Sequence, residues 1–173
     1  MLFMVGMGPI KEEIFQIIKD KRLEDDIIIK DFISNSELPK TYQQSVLFAL
    51  SSYEEGVPRT ILEAMSCETP IVCTNLPQIK DLVEGCGIIV PIGDPSELAK
   101  GFSRIVRDYK FAQECGEQGR KKILANYSWE DTVDRTLSIY EDLVHVNKSI
   151  MIPSELDEKM AIQYNLKREE HHD

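Results

Sequence analysis

Residues 46–74 read VLFALSSYEEGVPRTILEAMSCETPIVCT and give the clearest indication of how the chain folds. Two short apolar runs, 46–50 and 71–74, flank a segment with helix-forming residue types. Pro58 marks the start of that helix, because its fixed φ suits the first helical turn. A strand, a helix and a second strand in this order are typical of a parallel sheet that is covered by helices.

The same alternation continues toward both ends of the chain. Further short apolar runs predict strands at 2–5, 27–30 and 87–90. They are rich in β-branched or aromatic residues and show little alternation, which is typical of strands buried on both faces. The sequence therefore predicts an α/β fold, a Rossmann-like parallel sheet with helices on both faces.

Proline, serine and aspartate mark the expected helix starts. Pro9 precedes a predicted helix at 10–19, and Ser36 is the expected cap of the next helix. Asp94, with Glu97 three residues later, forms a strong capping pattern. The inner face of the helix after Ser36 is expected to carry three residues, Leu38, Tyr42 and Val46.

The last part of the chain is predicted to be a helical C-terminal region. Residues 95–143 have helical character, with breaks at 108–110 and 126–128. The composition then becomes strongly charged. We expect a Rossmann-like, nucleotide-sugar-binding domain at 1–145 and a charged helical or flexible tail at 146–173.

Size and charge exclude several classes of protein. The chain has 173 residues, enough for one domain with a hydrophobic core. Its formal net charge of −10 disfavours a broad nucleic-acid surface, so we expect no nucleic-acid partner. It contains no run of eighteen apolar residues, which excludes a membrane-spanning helix.

Cysteine and histidine usage predicts neither a metal site nor a secreted protein. None of the four cysteines forms a C-x-x-C pair, and the three histidines lie at 145, 171 and 172. The apolar residues 1–5 have no basic residue before them and predict a strand rather than a signal peptide. We therefore expect a reduced, cytoplasmic setting, and cysteines that are core or surface residues: Cys67, Cys73, Cys86 and Cys115.

The first predicted strand leads into Gly6-Met7-Gly8-Pro9 and then into a helix. Backbone amides at such a helix start can bind a phosphate or a carboxylate. Lys11 stands where a dinucleotide-binding fingerprint needs its third glycine, so an NAD site is not supported. A tight turn that binds no ligand is the alternative interpretation.

Two carboxylates bracket the start of the predicted helix after Pro58. Glu55 lies in the preceding loop, and Glu63 lies about 7 to 8 Å of helical rise into the helix. The amides of Thr60 and Ile61 suit a diphosphate, and the carboxylates can accept hydrogen bonds from hydroxyl-bearing rings. A nucleoside diphosphate sugar has this layout. The alternative is a solvated loop followed by an ordinary surface helix.

The segment from Glu55 to Glu63 resembles the E-x7-E motif of the retaining GT-B-fold glycosyltransferases of the glycosyl transferases group 1 family. Other stretches match that family in order and approximate spacing from residue 1 to about residue 143. They are Val5-Gly6-Met7-Gly8-Pro9, Asp31-Phe32-Ile33, Glu37-Leu38-Pro39 with Tyr42, Pro70-Ile71-Val72 after Glu63-Ala64-Met65-Ser66-Cys67, Glu84-Gly85-Cys86-Gly87, Gly93-Asp94-Pro95-Ser96-Glu97-Leu98-Ala99 and Tyr127-Ser128-Trp129.

The resemblance implies that the chain is the C-terminal, donor-nucleotide-binding half of a GT-B glycosyltransferase. Such an enzyme transfers a sugar from a nucleoside diphosphate sugar to a carbohydrate or lipid-linked acceptor. Glu55 would be the catalytic residue, stabilising an oxocarbenium-like transition state, and Glu63 would hold the ribose hydroxyls. No metal cofactor is expected. The remaining donor-binding residues would be Arg59, Thr60 and Ile61 through their amides, Gly6 and Gly8 beside the cleft, and Ile33 at the base.

Several departures from the family qualify this expectation. The arginine and lysine that usually reach the diphosphate, and the whole acceptor-binding N-terminal domain, are absent from the sequence. We expect that domain in cis or on a partner chain, any peripheral membrane association to occur only through it, and this chain alone to be inactive. Asp31, Pro58 and Glu68 stand where relatives commonly have glycine. The alternatives are a non-catalytic nucleotide- or partner-binding module, or half of a sugar-nucleotide epimerase.

Overall fold

The computed structural model describes the backbone of residues 1–149 and the side chains of residues 1–144. The predicted tail at 146–173 therefore lies almost wholly outside the described residues. Strands and helices alternate through most of the chain, as predicted. They are β1 (Leu2–Val5), α1 (Lys11–Asp20), β2 (Ile27–Lys30), α2 (Leu38–Gln44), β3 (Phe48–Leu50), α3 (Arg59–Ser66), β4 (Ile71–Thr74), α4 (Pro77–Val83), β5 (Gly87–Val90), α5 (Pro95–Arg107), α6 (Tyr109–Asn126) and α7 (Trp129–Ser149).

The strands are all paired in parallel, but they form two sheets instead of one. β1 pairs with β2, from Leu2 opposite Ile27 onward. The second sheet has the order β3-β4-β5. Within the described residues, no backbone hydrogen bond joins β1 to β3, so each of these strands has one unpaired edge. The predicted parallel α/β architecture is confirmed, with its strands divided between these two sheets.

Side chains of β4 alternate between two hydrophobic clusters. Ile71 and Cys73 belong to the larger cluster, together with core residues of α3 and α4. Val72 points the other way and packs in a second cluster with Ile105 of α5. All four residues of β4 are buried. The second sheet therefore carries helices on both faces, as the unbroken apolar run at 71–74 predicted.

The predicted helix starts have different outcomes. The carboxylate of Asp94 accepts hydrogen bonds from the amides of Ser96 and Glu97, both at 3.0 Å, which confirms the predicted cap. The cap at Ser36 was wrong, because α2 begins later, with Glu37 in the capping position and Pro39 in the first turn. No side chain caps that helix.

The end of α2 also differs from the prediction. Val46 was expected on the inner face of this helix and also within the next strand. The helix ends at Gln44, because the backbone of Ser45 is extended, with ψ of 136°. Val46 is 63% exposed, and β3 begins only at Phe48, whose amide donates to the carbonyl of Pro70 at 2.8 Å. The helix breaks fall within the two predicted segments but are shorter: Asp108 alone separates α5 from α6, and residues 127–128 separate α6 from α7.

The chain divides into two compact units, Met1–Ala125 and Asn126–Asp173. The first unit ends just before the predicted break at 126–128, and the domain boundary at residue 145 stays a prediction. Within the second unit, α7 starts with a side-chain cap, since the hydroxyl of Ser128 accepts a hydrogen bond from the amide of Asp131 at 3.0 Å. None of the helices in the described part of the chain is long and apolar enough to cross a membrane.

Candidate functional site

The candidate site lies in the first unit, where loops leave the carboxyl ends of β1 and β3. In parallel α/β folds, ligands bind at these ends of the strands. The loop after β1 contains Gly6 and Gly8, and the loop after β3 contains Glu55. The latter loop leads directly into α3, which carries Glu63.

Glu55 is partly buried and is held by the loop that carries it. The hydroxyl of Ser52 donates to Glu55 Oε1 at 2.7 Å. The carbonyl of Ser52 accepts a hydrogen bond from the hydroxyl of Thr74 at 2.6 Å, and Thr74 is buried at the end of β4. The loop is therefore fastened to the core of the second sheet. Sequence reasoning missed both partners; the serine three residues before Glu55 was the available local signal.

Glu63 is exposed but has a buried neighbour. The phenol of Tyr42, on α2, donates to Glu63 Oε2 at 3.2 Å. Tyr42 is only 7% exposed, as expected for a residue on the inner face of its helix. Its burial and the negative charge of Glu63 raise the pKa of Tyr42 well above its ordinary value. Sequence reasoning placed Tyr42 in the core but did not identify it as a partner of Glu63.

The first turn of α3 offers two amides for a ligand. Those of Arg59 and Thr60, both exposed residues, donate to no backbone carbonyl of the described chain. The amide of Ile61 donates to the carbonyl of Pro58 at 3.1 Å, and the Ile61 side chain is fully buried. Three amides were expected to face a diphosphate. Those of Arg59 and Thr60 have no backbone acceptor in the described chain, whereas that of Ile61 already donates a hydrogen bond within the turn.

The glycine-rich loop after β1 has open space beside it. Gly6 has a φ of 147°, which an L side chain rarely adopts, and its amide donates to the carbonyl of Lys30 at 2.9 Å. A methyl group added at Gly6 or Gly8 would meet no atom within 4 Å. This geometry is compatible with room for a ligand beside both glycines.

The segment after β2 contains the residue that was assigned to a base pocket. Ile33 is only 8% exposed, whereas the preceding Phe32 is 72% exposed. Asp31, which stands where relatives commonly have glycine, forms an ion pair with Lys11 of α1. In this structure Phe32 presents far more surface to a ligand than Ile33, and the role of Ile33 stays a prediction.

The described residues contain no group of three histidine, cysteine or acidic side chains placed to hold a metal ion. The four cysteines are all unpaired thiols. Burial raises the pKa of each thiol, that of Cys73 to about 12. The thiolate is the reactive form, and the raised pKa disfavours it at neutral pH. Cys73, Cys86 and Cys115 are buried and Cys67 is partly buried, which agrees with the prediction of core or surface residues.

Residues 1–122 match the protein family described as glycosyl transferases group 1. Among individual relatives, N-acetyl-alpha-D-glucosaminyl L-malate synthase of Bacillus anthracis is 25% identical over 150 residues, which cover 86% of this chain and 39% of that protein. The chain also matches sucrose-phosphate synthase of Thermosynechococcus elongatus, with a TM-score of 0.78 and 25% identity, over 84% of this chain and 39% of that one.

A further solved structure is that of Anabaena HepE in complex with UDP-glucose. It matches with a TM-score of 0.72 over 83% of this chain and 40% of that one. At 23% identity, this likeness shows the fold alone. The present chain thus spans about two fifths of the length of each of these three proteins.

Proposed function

Because the chain belongs to the glycosyl transferases group 1 family, we propose that it is the donor-binding half of a retaining glycosyltransferase. The donor is a nucleoside diphosphate sugar, and the acceptor is a carbohydrate or a lipid-linked glycan. The acceptor is held by a second domain, either in the same polypeptide or on a partner chain. A second domain is consistent with the lengths of the relatives, because this chain spans only about two fifths of each of them.

The observation that carries the proposal is the arrangement around the first turn of α3. Two carboxylates, Glu55 and Glu63, are each held by a hydroxyl group and bracket this turn. Between them in sequence, the amides of Arg59 and Thr60 have no backbone acceptor within the described residues. A helix start with free amides favours an anion such as a diphosphate. Carboxylates on either side favour the hydroxyl groups of a ribose and a sugar.

The transfer breaks the bond between the anomeric carbon of the sugar and the diphosphate oxygen. The leaving diphosphate oxygen keeps the electron pair of the broken bond, the acceptor oxygen forms the new bond to the anomeric carbon, and the acceptor hydroxyl passes its proton to the leaving diphosphate. Positive charge develops at the anomeric carbon, and the carboxylate of Glu55 stabilises it. In this proposal the amides of α3 stabilise the leaving diphosphate, the part of the enzyme outside this chain supplies the cationic side chains, and no metal ion takes part. The complex of HepE with UDP-glucose supports a nucleotide sugar as the donor.

Glu63 binds the ribose in this proposal, and the glycine-rich loop leaves space for the donor beside β1. The empty surroundings of Gly6 and Gly8 support that placement. Glu55 and Glu63 thus have different roles. Loss of Glu63 weakens nucleotide binding, whereas Glu55→Gln leaves nucleotide affinity nearly intact and abolishes transfer in the complete enzyme.

Nucleotide-dependent thermal stabilisation of this chain tests the proposal. UDP, GDP and ADP are each titrated against the wild type, Glu63→Ala and a control, Glu117→Ala, which removes one exposed carboxylate from α6. A ligand that binds only the folded state stabilises it by RT ln(1 + [L]/Kd), which is about 2.7 kcal/mol at 100 times Kd. We expect one nucleotide to stabilise the wild type and the control, and Glu63→Ala to respond much less, because it loses charged hydrogen bonds worth roughly 1 to 3 kcal/mol.

The other outcomes contradict the proposal in different ways. An equal response of Glu63→Ala and the wild type means that Glu63 does not hold the nucleotide. A response to none of the nucleotides contradicts donor binding by this chain on its own and favours the alternative of a partner-binding module.

A further inference from the structure

Tyr42 connects the hydrophobic core to one of the two site carboxylates. Its side chain is buried, its ring contacts Phe48 of β3, and its hydroxyl donates to Glu63 Oε2 at 3.2 Å. This separation exceeds the most common O–H···O distance of about 2.7 to 2.8 Å. The bond therefore contributes little to the stability of the fold.

Two contacts that do not involve Glu63 hold Tyr42, one at its ring and one at its backbone. The ring meets Phe48 of β3 edge to face, with ring centroids 5.6 Å apart and an interplanar angle of 79°. The backbone carbonyl of Tyr42 accepts a hydrogen bond from the hydroxyl of Thr69 at 2.9 Å, and Thr69 is itself buried. The phenol thus projects from a rigid support, and its hydroxyl occupies a defined point beside α3.

The carboxylate of Glu63 has no such support of its own. It is an exposed side chain with three rotatable bonds, and such a side chain loses rotamer freedom when it binds a ligand. A carboxylate that accepts hydrogen bonds from two neighbouring hydroxyls of a ribose must hold both oxygens in one plane and direction. The donation from Tyr42 occupies one lone pair of Oε2 and leaves Oε1 and the other lone pairs available.

The phenol remains a donor under all conditions in which nucleotides are bound. Burial and the neighbouring carboxylate both raise the pKa of Tyr42, so its hydroxyl keeps its proton far above neutral pH. The direction of the hydrogen bond is therefore constant: the phenol donates, and Glu63 accepts.

We propose that Tyr42 is a positioning residue for the donor nucleotide, whose hydroxyl fixes the Glu63 carboxylate in the orientation that accepts both ribose hydroxyls. This rests on the proposed function, in which Glu63 binds the ribose. Tyr42 itself does not touch the ligand. Its contribution is to reduce the ordering that Glu63 undergoes on binding.

The test compares ribonucleotides with analogues that lack the ribose hydroxyls. The Kd values of UDP, GDP and ADP and of their 2′,3′-dideoxy counterparts are measured by calorimetry for the wild type, Tyr42→Phe, Glu63→Ala and the double variant. Tyr42→Phe keeps the ring and its contact with Phe48. Thr69→Val is the control, because it removes a buried hydroxyl that joins the segment after α3 to the backbone of α2, without removing a donor to Glu63.

We expect Tyr42→Phe to weaken ribonucleotide binding by about three- to tenfold and to leave the Kd of the dideoxy analogue unchanged. The ratio of the two Kd values, which measures discrimination between the ribonucleotide and its dideoxy analogue, should therefore fall. A purely structural role of Tyr42 would leave this ratio unchanged. In the Glu63→Ala background, Tyr42→Phe should have no further effect, because both variants remove the same interaction. Thr69→Val should lower the melting temperature while keeping the wild-type discrimination.

The failures are distinguishable. If Glu63→Ala loses the discrimination and Tyr42→Phe retains it, the positioning role is wrong, and the ribose-binding role of Glu63 stands. If Thr69→Val lowers the discrimination as much as Tyr42→Phe does, the phenol acts only through the packing of α2. If Glu63→Ala binds both ligands as the wild type does, the ribose assignment itself is wrong, and the positioning role falls with it.

Discussion

Replacing Gly116 with alanine probes the closest approach between α6 and the turn after α3. A methyl group built on Gly116 would lie 2.2 Å from the carbonyl oxygen of Glu68. Real side chains essentially never come closer than 3.0 Å, so the two groups must separate by at least 0.8 Å. The atom in the way belongs to the backbone, and Glu68 is already constrained by a positive φ of 59°. Arg120 of α6 also donates to the carbonyl of Ser66, which holds the same turn.

The expected magnitude follows from two opposing effects. Overpacking of this kind destabilises a protein by about 1 to 3 kcal/mol, and contact with backbone places Gly116→Ala at the upper end. Alanine also favours the helix over glycine by about 1 kcal/mol. The net expectation is a loss of about 2 kcal/mol in the free energy of unfolding. For a chain of this length, that lowers the melting temperature by about 4 to 8 °C.

Gly119 provides the matched control on the same helix. A methyl group there would meet Met65 at 3.5 to 3.7 Å, which is ordinary van der Waals contact. Gly119→Ala should therefore raise the free energy of unfolding by up to about 1 kcal/mol, through helix propensity alone. Urea unfolding followed by circular dichroism measures both variants. If Gly116→Ala proves as stable as Gly119→Ala, α6 does not approach Glu68 as described, and the reasoning is refuted.

Three further predictions concern single groups. Asp94→Ala should lower the free energy of unfolding by about 1 kcal/mol, because it removes both cap hydrogen bonds of α5, and thermal unfolding with Asp94→Asn as the retained-cap control checks this. Glu68→Gly should stabilise the chain by about 1 kcal/mol, since glycine tolerates the positive φ and the exposed ion pair with Arg120 at 3.7 Å contributes little; a lower urea midpoint would contradict this. The third prediction concerns pH, because folding raises the pKa of Tyr42. The unfolded state loses the phenol proton near pH 10, whereas the folded state keeps it. The free energy of unfolding therefore falls as the pH rises above about 10. Tyr42→Phe should lack this part of the alkaline decline in urea unfolding between pH 8 and 11, and an unchanged decline would show that Tyr42 is not the group responsible.

Much of the fold could be predicted from the sequence, because apolar runs bounded by turn residues have few alternatives to a strand. Four of the predicted strands, including 71–74, have the observed bounds. The run at 46–50 was predicted too long, because apolar character alone does not show where pairing begins. The amide of Phe48 is the first to reach the neighbouring strand, whereas Val46 lies in an exposed connection.

Local capping rules had mixed success for a physical reason. Asp94 capped its helix as predicted because aspartate, proline and glutamate act together within one turn. Ser36 had no such support, and its hydroxyl lies 3.1 Å from that of Ser34. Pro39 fixed the helix start farther along the chain, which left Ser36 outside it.

The partners of the two site carboxylates could not be predicted as a set. Ser52 lies three residues before Glu55, so its contact was accessible to local reasoning. Tyr42 is 21 residues from Glu63 in sequence, and their contact depends on how α2 packs against α3. The sequence indicated that Tyr42 is buried, but burial alone does not specify the atom that its hydroxyl reaches.

Because β1 and β3 belong to separate sheets, the backbone hydrogen bonds of the two sheets can open independently and with different ease. The amides of Leu2 and Gly6 donate toward β2, so those of Phe3 and Val5 face the other edge of the parallel strand. Such edge amides exchange with solvent through small local fluctuations, whereas β4, buried along its whole length, exchanges only in larger openings. Gly6 therefore belongs to the readily opening part, and Glu63 lies beside the slowly opening one. A donor that touches both would couple the two parts and slow deuterium uptake in β1.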